Sequence, residues 1–89
     1  MNYKIEFSDI ALKNLRKLDP TSRKRILIYI RDVLAEIETP RILGKPLTGN
    51  LGEIWRYRVG YFRILCKIQD DKLTILIVKI AHRKDVYEH

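Results

Sequence analysis

Cysteine and histidine are scarce in this chain, and their scarcity excludes several kinds of site. The 89 residues include one cysteine, Cys66, and two histidines, of which one is the last residue. A single cysteine excludes an internal disulfide bond and any metal site built from several cysteines. It falls within an apolar segment, where a reduced and buried thiol is expected. With two histidines and no clustered carboxylates, we expect neither a metal nor another cofactor.

Long apolar runs and the common nucleotide-binding motifs are also absent. No segment approaches the length of about 18 residues that spans a bilayer, and the chain does not start with a cationic and then apolar leader. We therefore expect a soluble, cytoplasmic protein without membrane contact. Zinc-finger, phosphate-loop and dinucleotide motifs are missing. Neither Ser8, Ser22 nor Cys66 has an adjacent histidine and acid, so covalent hydrolase chemistry is not indicated.

The chain has fewer acidic than basic residues. Eighteen lysines and arginines face eleven aspartates and glutamates, which gives a net charge of +7. This excess favours a polyanionic partner, although a basic surface that only aids solubility explains the charge alone equally well. Because 46% of the residues are hydrophobic, residues 1–89 are expected to form one small globular domain.

The hydrophobic pattern predicts an α+β fold in which two helices pack on one face of a small sheet. Ser8 and the pair Asp19-Pro20 are typical of helix starts. Glycines and prolines between Thr39 and Gly52 indicate a loop. The predicted elements are a strand at Tyr3 to Phe7, an antiparallel hairpin of helices from about Asp9 to Leu18 and from Pro20 to about Ile37, and an antiparallel meander of strands at Glu53 to Val59, Tyr61 to Gln69 and Leu73 to Ala81. Asp70 to Lys72 form the last turn, and the last strand is expected in the sheet interior.

Cations recur on the predicted meander strands, and alternate residues of a strand share one face. The cations expected on the face opposite the helices are Arg56, Arg58, Arg63 and Lys67, joined from the last strand by Lys79 and Arg83. Between Arg41 and Lys67 the only acid is Glu53, so carboxylates are too few to neutralise this face. A stiff cationic face with nearby tyrosines suits single-stranded RNA better than duplex DNA, since unpaired bases can stack while arginines hold the backbone.

These residue types suit metal-free attack on a phosphate by the neighbouring 2′-hydroxyl, which needs a base, an acid and cations. Histidine titrates near neutrality, and a tyrosine can act as a base if nearby cations favour its phenolate. Considered singly, His82 is equally explained as a hydrogen-bonded strand-end residue and Tyr87 as a side chain packed on the sheet. The predicted catalytic residues are Arg56, Arg58, Arg63, His82, Arg83 and Tyr87, and the lysines predicted to contact RNA are Lys45, Lys67, Lys79 and Lys84.

Several segments of the chain together form a distinctive pattern, which comprises Gly49-Asn50-Leu51, Trp55 to Gly60, Phe62-Arg63 and His82 to Tyr87. This pattern resembles the RelE/ParE superfamily of type II toxin–antitoxin toxins, and the RelE branch in particular. The resemblance implies a small toxin that enters the ribosomal A site, cleaves mRNA, and is neutralised by a cognate RelB-like antitoxin. Operator DNA would be contacted only through the antitoxin complex. By position, the resemblance implies that Arg63 stabilises the transition state, that Arg83 is an acid or phosphate clamp, and that Tyr87 is the general base.

The chain departs from the usual pattern at two points. Tyr61-Phe62 stands where Asp-Tyr is more usual, which removes one hydroxyl, and the loop carboxylate of the YoeB-like branch is absent. Acid and base duties would therefore rest on His82, Arg83 and Tyr87. Two alternatives remain open: a ParE-type toxin that inhibits DNA gyrase by binding without chemistry, and an inert family member that only binds an antitoxin.

Overall fold

The computed structural model describes residues 3–47 and 54–82, which form an α+β arrangement around a five-stranded sheet. In chain order the elements are β1 (Lys4–Phe7), α1 (Asp9–Lys17), α2 (Pro20–Tyr29), a π-helical turn (Ile30–Leu34), α3 (Pro40–Leu43), β2 (Lys45–Pro46), β3 (Ile54–Val59), β4 (Phe62–Gln69), a 3-10 turn (Asp70–Lys72) and β5 (Thr74–His82). The predicted fold class is confirmed. Within the described ranges, no helix is both long enough and apolar enough to cross a membrane.

The sheet has the strand order β1-β5-β4-β3-β2, so its first and last strands in sequence are direct neighbours. The pairs from β2 to β5 are antiparallel, which confirms the predicted meander, whereas β1 pairs with β5 in parallel. Because β5 lies between β1 and β4, the expectation that the last strand is interior is also confirmed. Through this parallel pairing, β1 forms the edge of the sheet next to β5, at the opposite edge from β2.

The two predicted helix starts are confirmed by their capping bonds. The Ser8 hydroxyl accepts a hydrogen bond from the Ala11 N–H at 3.0 Å and donates one to the Val78 carbonyl at 2.8 Å. It therefore caps α1 and fastens the start of that helix to β5. At α2 the Asp19 carboxylate accepts a hydrogen bond from the Ser22 N–H at 3.1 Å. Hydrogen bonding from the side chain and the backbone of Ser22 lowers the pKa of Asp19.

Arg23 joins the two helices of the hairpin. Its guanidinium donates to three carbonyls at the end of α1, those of Leu15 at 2.9 Å, Leu18 at 2.7 Å and Arg16 at 3.2 Å. The last carbonyls of a helix have no hydrogen-bond donors within the helix, and the Arg23 guanidinium supplies such donors here. This side chain on α2 therefore fixes where α1 ends relative to α2.

The core lies between the helices and one face of the sheet. Its buried members are Ala11, Leu15, Ile26, Ile30 and Leu34 from the helical layer, and Tyr57, Val59, Ile64, Cys66, Ile75, Ile77 and Ile80 from the strands. On β3 and β4 these core residues alternate with residues that point to the opposite face, as the period of two predicted. On β5 a bulge between Ile77 and Lys79 interrupts the alternation, so the core residues Ile77 and Ile80 are three positions apart. The helical layer thus leaves the other face of the sheet available for a site.

Two boundaries differ from the sequence-based prediction. The second helix was expected to continue to Ile37, but its regular hydrogen bonding gives way to a π-helical turn, in which the Ala35 N–H bonds to the Ile30 carbonyl at 2.8 Å. The segment from Thr39 onward was expected to be all loop, but it contains α3 and β2. Proline suits the first position of a helix and glycine the position after its last, so Pro40 and Gly44 delimit a short helix here. The rest of the expected loop, residues 48–53, lies outside the described residues.

A tight turn sets the register of β3 against β4. Val59 pairs with Phe62, which leaves Gly60 and Tyr61 as the two turn residues. Gly60 has φ of +60°, as the first central residue of a type II′ hairpin turn requires. This turn brings Arg58 directly opposite Arg63.

Candidate functional site

Four cationic side chains from three neighbouring strands line one pocket on the sheet face opposite the helices. Backbone pairing places Lys45 of β2 beside Arg56 of β3, and Arg58 of β3 beside Arg63 of β4. Arg56 and Arg58 share a face because they are alternate residues of one strand. Leu43, at the end of α3, completes the lining of a pocket of about 230 Å³. We call these five residues the cationic pocket.

The cationic pocket has a buried floor and an open rim. Arg63 is only 1% exposed, whereas Arg58 and Lys45 are exposed and Arg56 is half-buried. A guanidinium keeps its proton even in an apolar setting, so the floor remains positive. Charges interact more strongly where water is excluded, so an anion that reaches Arg63 is attracted more strongly than one at the rim.

Carboxylates are missing from the described residues that line the cationic pocket. Asp32 and Asp70 are engaged elsewhere, by Arg31 at 2.7 Å and by Arg41 at 2.8 Å. The described lining of the pocket therefore consists of four cations and one leucine. Arginine forks fit the oxygens of phosphate, so the pocket is suited to a phosphate group of a larger polyanion.

Two of the predicted RNA-binding lysines lie on the same face as the cationic pocket but outside it. Lys67 is four residues from Arg63 along β4, a separation of about 13 Å at the usual rise of a strand. Lys79 lies in the same cross-strand row as Arg56, with Leu65 between them. The positive face therefore extends beyond the pocket along β4 and across to β5.

His82 is placed differently from the arginines. It pairs with Phe62 at the end of β5, while its neighbour Ala81 pairs with Arg63. The register therefore puts His82 on the helix side of the sheet, where its ring contacts Phe62 at 5.3 Å and stacks at 6.3 Å from Tyr61. The structure does not bring this histidine onto the arginine face, and the catalytic role assigned to it remains a prediction.

The remaining predicted site residues, Arg83, Lys84 and Tyr87, lie outside the described residues. Their predicted roles in acid–base chemistry and RNA contact remain predictions. Within residues 3–47 and 54–82, no three side chains of histidine, cysteine, aspartate or glutamate are grouped closely enough to hold a metal ion.

One member of the pocket was missed by sequence reasoning. Leu43 was assigned to a loop, because the glycines and prolines around it hid the short helix that ends at this residue. Its side chain is 52% exposed although it is apolar, and it forms a hydrophobic edge beside the cations. The signal for it was the proline at the start of α3 followed four residues later by glycine.

Cys66 takes no part in the pocket, and its burial gives a testable pH effect. The thiol is fully buried, and burial raises its pKa from 9.0 to about 12. As the pH rises above 9 the unfolded chain releases this proton while the folded protein retains it, so stability is lost between about pH 9 and pH 12. We expect the free energy of unfolding of the native protein to fall between pH 8 and pH 10, and to fall by about 1 kcal/mol more than that of Cys66→Ala. Thermal or urea unfolding at the two pH values measures both changes. Equal pH dependence of the two proteins would contradict the protonated, buried thiol.

Comparisons with known proteins agree with one another at the level of the superfamily. A family model described as the ParE toxin of the type II toxin-antitoxin system parDE matches residues 5–87. Toxin RelG of Mycobacterium tuberculosis is 31% identical over 87 residues, which cover 98% of this chain and 98% of that protein. The mRNA interferase toxin RelE of Escherichia coli is 29% identical over 87 residues, covering 94% of this chain and 86% of the relative.

Solved structures agree with the sequence comparisons. A chain of the toxin–antitoxin complex RelBE2 from Mycobacterium tuberculosis superposes with a TM-score of 0.82 at 30% identity, covering 93% of this chain and 100% of that one. A chain of the archaeal RelE–RelB complex from Pyrococcus horikoshii gives a TM-score of 0.70 at 26% identity, covering 93% and 97%. With its motifs, its fold and the family match in agreement, this chain belongs to the RelE/ParE superfamily and is a toxin of the type II toxin–antitoxin class.

Proposed function

We propose that this toxin is a ribosome-dependent mRNA endoribonuclease that inhibits translation. The single observation that carries the proposal is the cationic pocket, in which the buried Arg63 lies beneath three further cations. A preorganised set of cations in a partly water-excluded site stabilises the charge that develops during phosphoryl transfer. The similarity to RelE of Escherichia coli, which is named an mRNA interferase, supports the same reaction class.

The proposed reaction is an internal transesterification of RNA. The 2′-oxygen of one nucleotide forms a bond to the adjacent phosphorus, and the bond from phosphorus to the 5′-oxygen of the next nucleotide breaks. A base takes the proton of the 2′-hydroxyl, and an acid gives a proton to the departing 5′-oxygen. The products are a 2′,3′-cyclic phosphate and a 5′-hydroxyl, and no metal ion is required for this balance.

In this proposal the predicted site residues divide into a phosphate clamp within the cationic pocket and a proton-transfer group that lies outside its described lining. Arg56, Arg58 and Arg63 would hold the non-bridging oxygens and stabilise the charge of the transition state. Tyr87 is proposed as the base and Arg83 as the acid or an additional clamp. The assisting role predicted for His82 would require its ring to reach the arginine face from the helix side of the sheet. Lys45, Lys67, Lys79 and Lys84 are proposed to contact the RNA backbone and to add salt-dependent affinity.

We also propose a cognate RelB-like antitoxin as the partner that neutralises the toxin. The related chains from Mycobacterium tuberculosis and Pyrococcus horikoshii were solved as toxin–antitoxin complexes. An acidic segment that folds on binding suits a surface with a net charge of +7. In this proposal the toxin acts on the ribosome in the cytoplasm, and operator DNA is contacted through the antitoxin complex.

Mapping of mRNA ends tests the proposed reaction. Induced expression of the toxin in bacterial cells should produce new mRNA 5′ ends within translated regions, together with a rapid fall in protein synthesis. The new ends should carry 5′-hydroxyl groups, because phosphate stays on the other fragment. Intact messages and continued translation in cells that make folded toxin would rule the proposal out.

The second candidate is a ParE-type inhibitor of DNA gyrase that binds without chemistry. Two observations favour it: the matching family model is that of the ParE toxin, and the described lining of the cationic pocket offers cations and one leucine rather than a general base. Supercoiling of plasmid DNA by purified gyrase separates the two candidates. Inhibition of supercoiling with intact mRNA would support gyrase binding, and cleaved mRNA with normal supercoiling would support the ribonuclease.

A further inference from the structure

A second cavity adjoins the cationic pocket around the edge of β3. It has a volume of about 370 Å³ and lies between the helical layer and the β3–β4 turn. Arg58 lines both this cavity and the cationic pocket, so the two share a wall. The other lining residues are Arg25, Ile28, Tyr29, Asp32, Val33, Val59 and Gly60. The two cavities therefore meet at the Arg58 side chain.

Arg25 reaches from α2 to the β3–β4 turn. A Cβ atom built on Gly60 would lie 2.9 Å from Nη1 of Arg25 and 3.2 Å from its Cζ, so the guanidinium lies directly against the turn backbone. Such an approach is possible because Gly60 has no side chain. The contact brings the charge of Arg25 from the helical layer to the edge of the sheet, where Arg58 begins the cationic pocket.

The second cavity, like the cationic pocket, is lined by more cations than carboxylates. Asp32 is the one carboxylate among its described lining residues, and the Arg31 guanidinium engages both of its oxygens at 2.7 and 3.1 Å. Those bonds lower the pKa of Asp32 and hold its charge toward Arg31. Arg25 and Arg58 are therefore left to attract an external anion in a cavity whose other walls are largely apolar.

We propose that Arg25 and Arg58 form a second phosphate subsite, which holds a phosphate of the same RNA strand next to the one in the cationic pocket. The inference rests on the proposed RNA substrate and extends it to a strand path: across the arginine face of the sheet, around the edge of β3, and against α2. Tyr29 and the aliphatic walls would lie beside the sugar of that nucleotide.

The salt dependence of RNA binding tests the subsite. The probe is a fluorescent RNA hexanucleotide with a 2′-O-methyl group at every position, which the toxin cannot cleave, and binding is followed by anisotropy over a range of salt concentrations. We expect Arg25→Gln to weaken binding about five- to tenfold at low salt and to reduce the slope of log K against log salt by about 0.7, the value for one lost phosphate contact on a single strand. Arg25→Lys keeps the charge and should keep the slope.

The matched control is Arg16→Gln, which removes the same charge from the exposed last turn of α1, away from both cavities. It should leave the slope unchanged, and thermal unfolding should confirm that all variants are folded. A slope for Arg25→Gln equal to that of the native protein or of Arg16→Gln would overturn the subsite, as would no measurable binding by the native toxin. Cleavage of mRNA on ribosomes is measured in parallel: if the native toxin does not cleave but Arg25 still governs the slope, the ribonuclease proposal fails and the subsite stands.

Discussion

Substitution of Arg63 by methionine is expected to lower the rate of mRNA cleavage at least about 100-fold and to abolish growth inhibition. Arg63 is the buried floor of the cationic pocket, so its charge acts on the phosphate through a less polar medium than the charges at the rim. Methionine has a similar unbranched shape and no charge, so it can occupy the buried position. The measurement is the rate of cleavage of a defined message in a purified translation system, with growth of expressing cells as a second readout.

Two further variants separate the charge of Arg63 from its shape and from the general charge of the protein. Arg63→Lys keeps the charge but loses the two-pronged donor, so its rate should fall between those of the native protein and Arg63→Met. Lys72→Met removes one charge from the turn at the opposite end of β4 and should leave the rate unchanged. If folded Arg63→Met cleaves within about threefold of the native rate, the role assigned to this arginine is wrong.

Substitution of Gly44 by alanine is expected to lower the free energy of unfolding by about 1–3 kcal/mol and to reduce activity as well. A Cβ at this position would lie 2.8 Å from Cζ of Tyr57 and 2.9 Å from its Cε2. The ring cannot move aside easily, because it is 1% exposed and its hydroxyl donates to the Pro40 carbonyl at 2.8 Å. The strain should therefore shift Gly44 itself, which lies between Leu43 and Lys45, both in the cationic pocket.

A double-mutant cycle with Tyr57→Leu checks this explanation. Leucine has no atom at the position of the tyrosine Cζ, so the double variant should be destabilised by less than the sum of the two single changes. Urea unfolding gives the free energies, and cleavage rates on ribosomes give the effect on the site. Strictly additive free energies would mean that the added methyl group meets no resistance from the ring.

The fold was largely predictable from local patterns. Ser8 and the pair Asp19-Pro20 placed both helix starts correctly, and the alternation of apolar residues gave the three strands of the meander. The parallel pairing of β1 with β5 was not predicted, because it depends on contact between residues about seventy positions apart and no local pattern encodes it. The π-helical turn after α2 was missed for a related reason, since its residues have the same apolar spacing as an ordinary helix.

The cationic pocket was predicted in part: its three arginines were expected on one face, but Leu43 and Lys45 were not expected beside them. Alternation along β3 put Arg56 and Arg58 on one face, and the tight turn placed Arg63 beside Arg58. The depth of Arg63 was not predictable, since alternation gives the face of a side chain and not how far it is covered. Arg25 carried no signal at all, because α2 bears several cations and only the folded structure shows which of them reaches the β3–β4 turn.

The partnership of β1 with β5 constrains when a newly made toxin becomes active. Lys4 pairs with Thr74 and Phe7 with Ile77, and the cap of α1 bonds to Val78, so the first strand finds its neighbours only after most of the chain has been synthesised. Pairings over such long separations in sequence form late in folding. A nascent chain that stops before residue 74 has no β5 and cannot dock its N-terminal strand. We therefore expect fragments that end before residue 74 to be inactive, because they lack the strand on which the N-terminal strand docks.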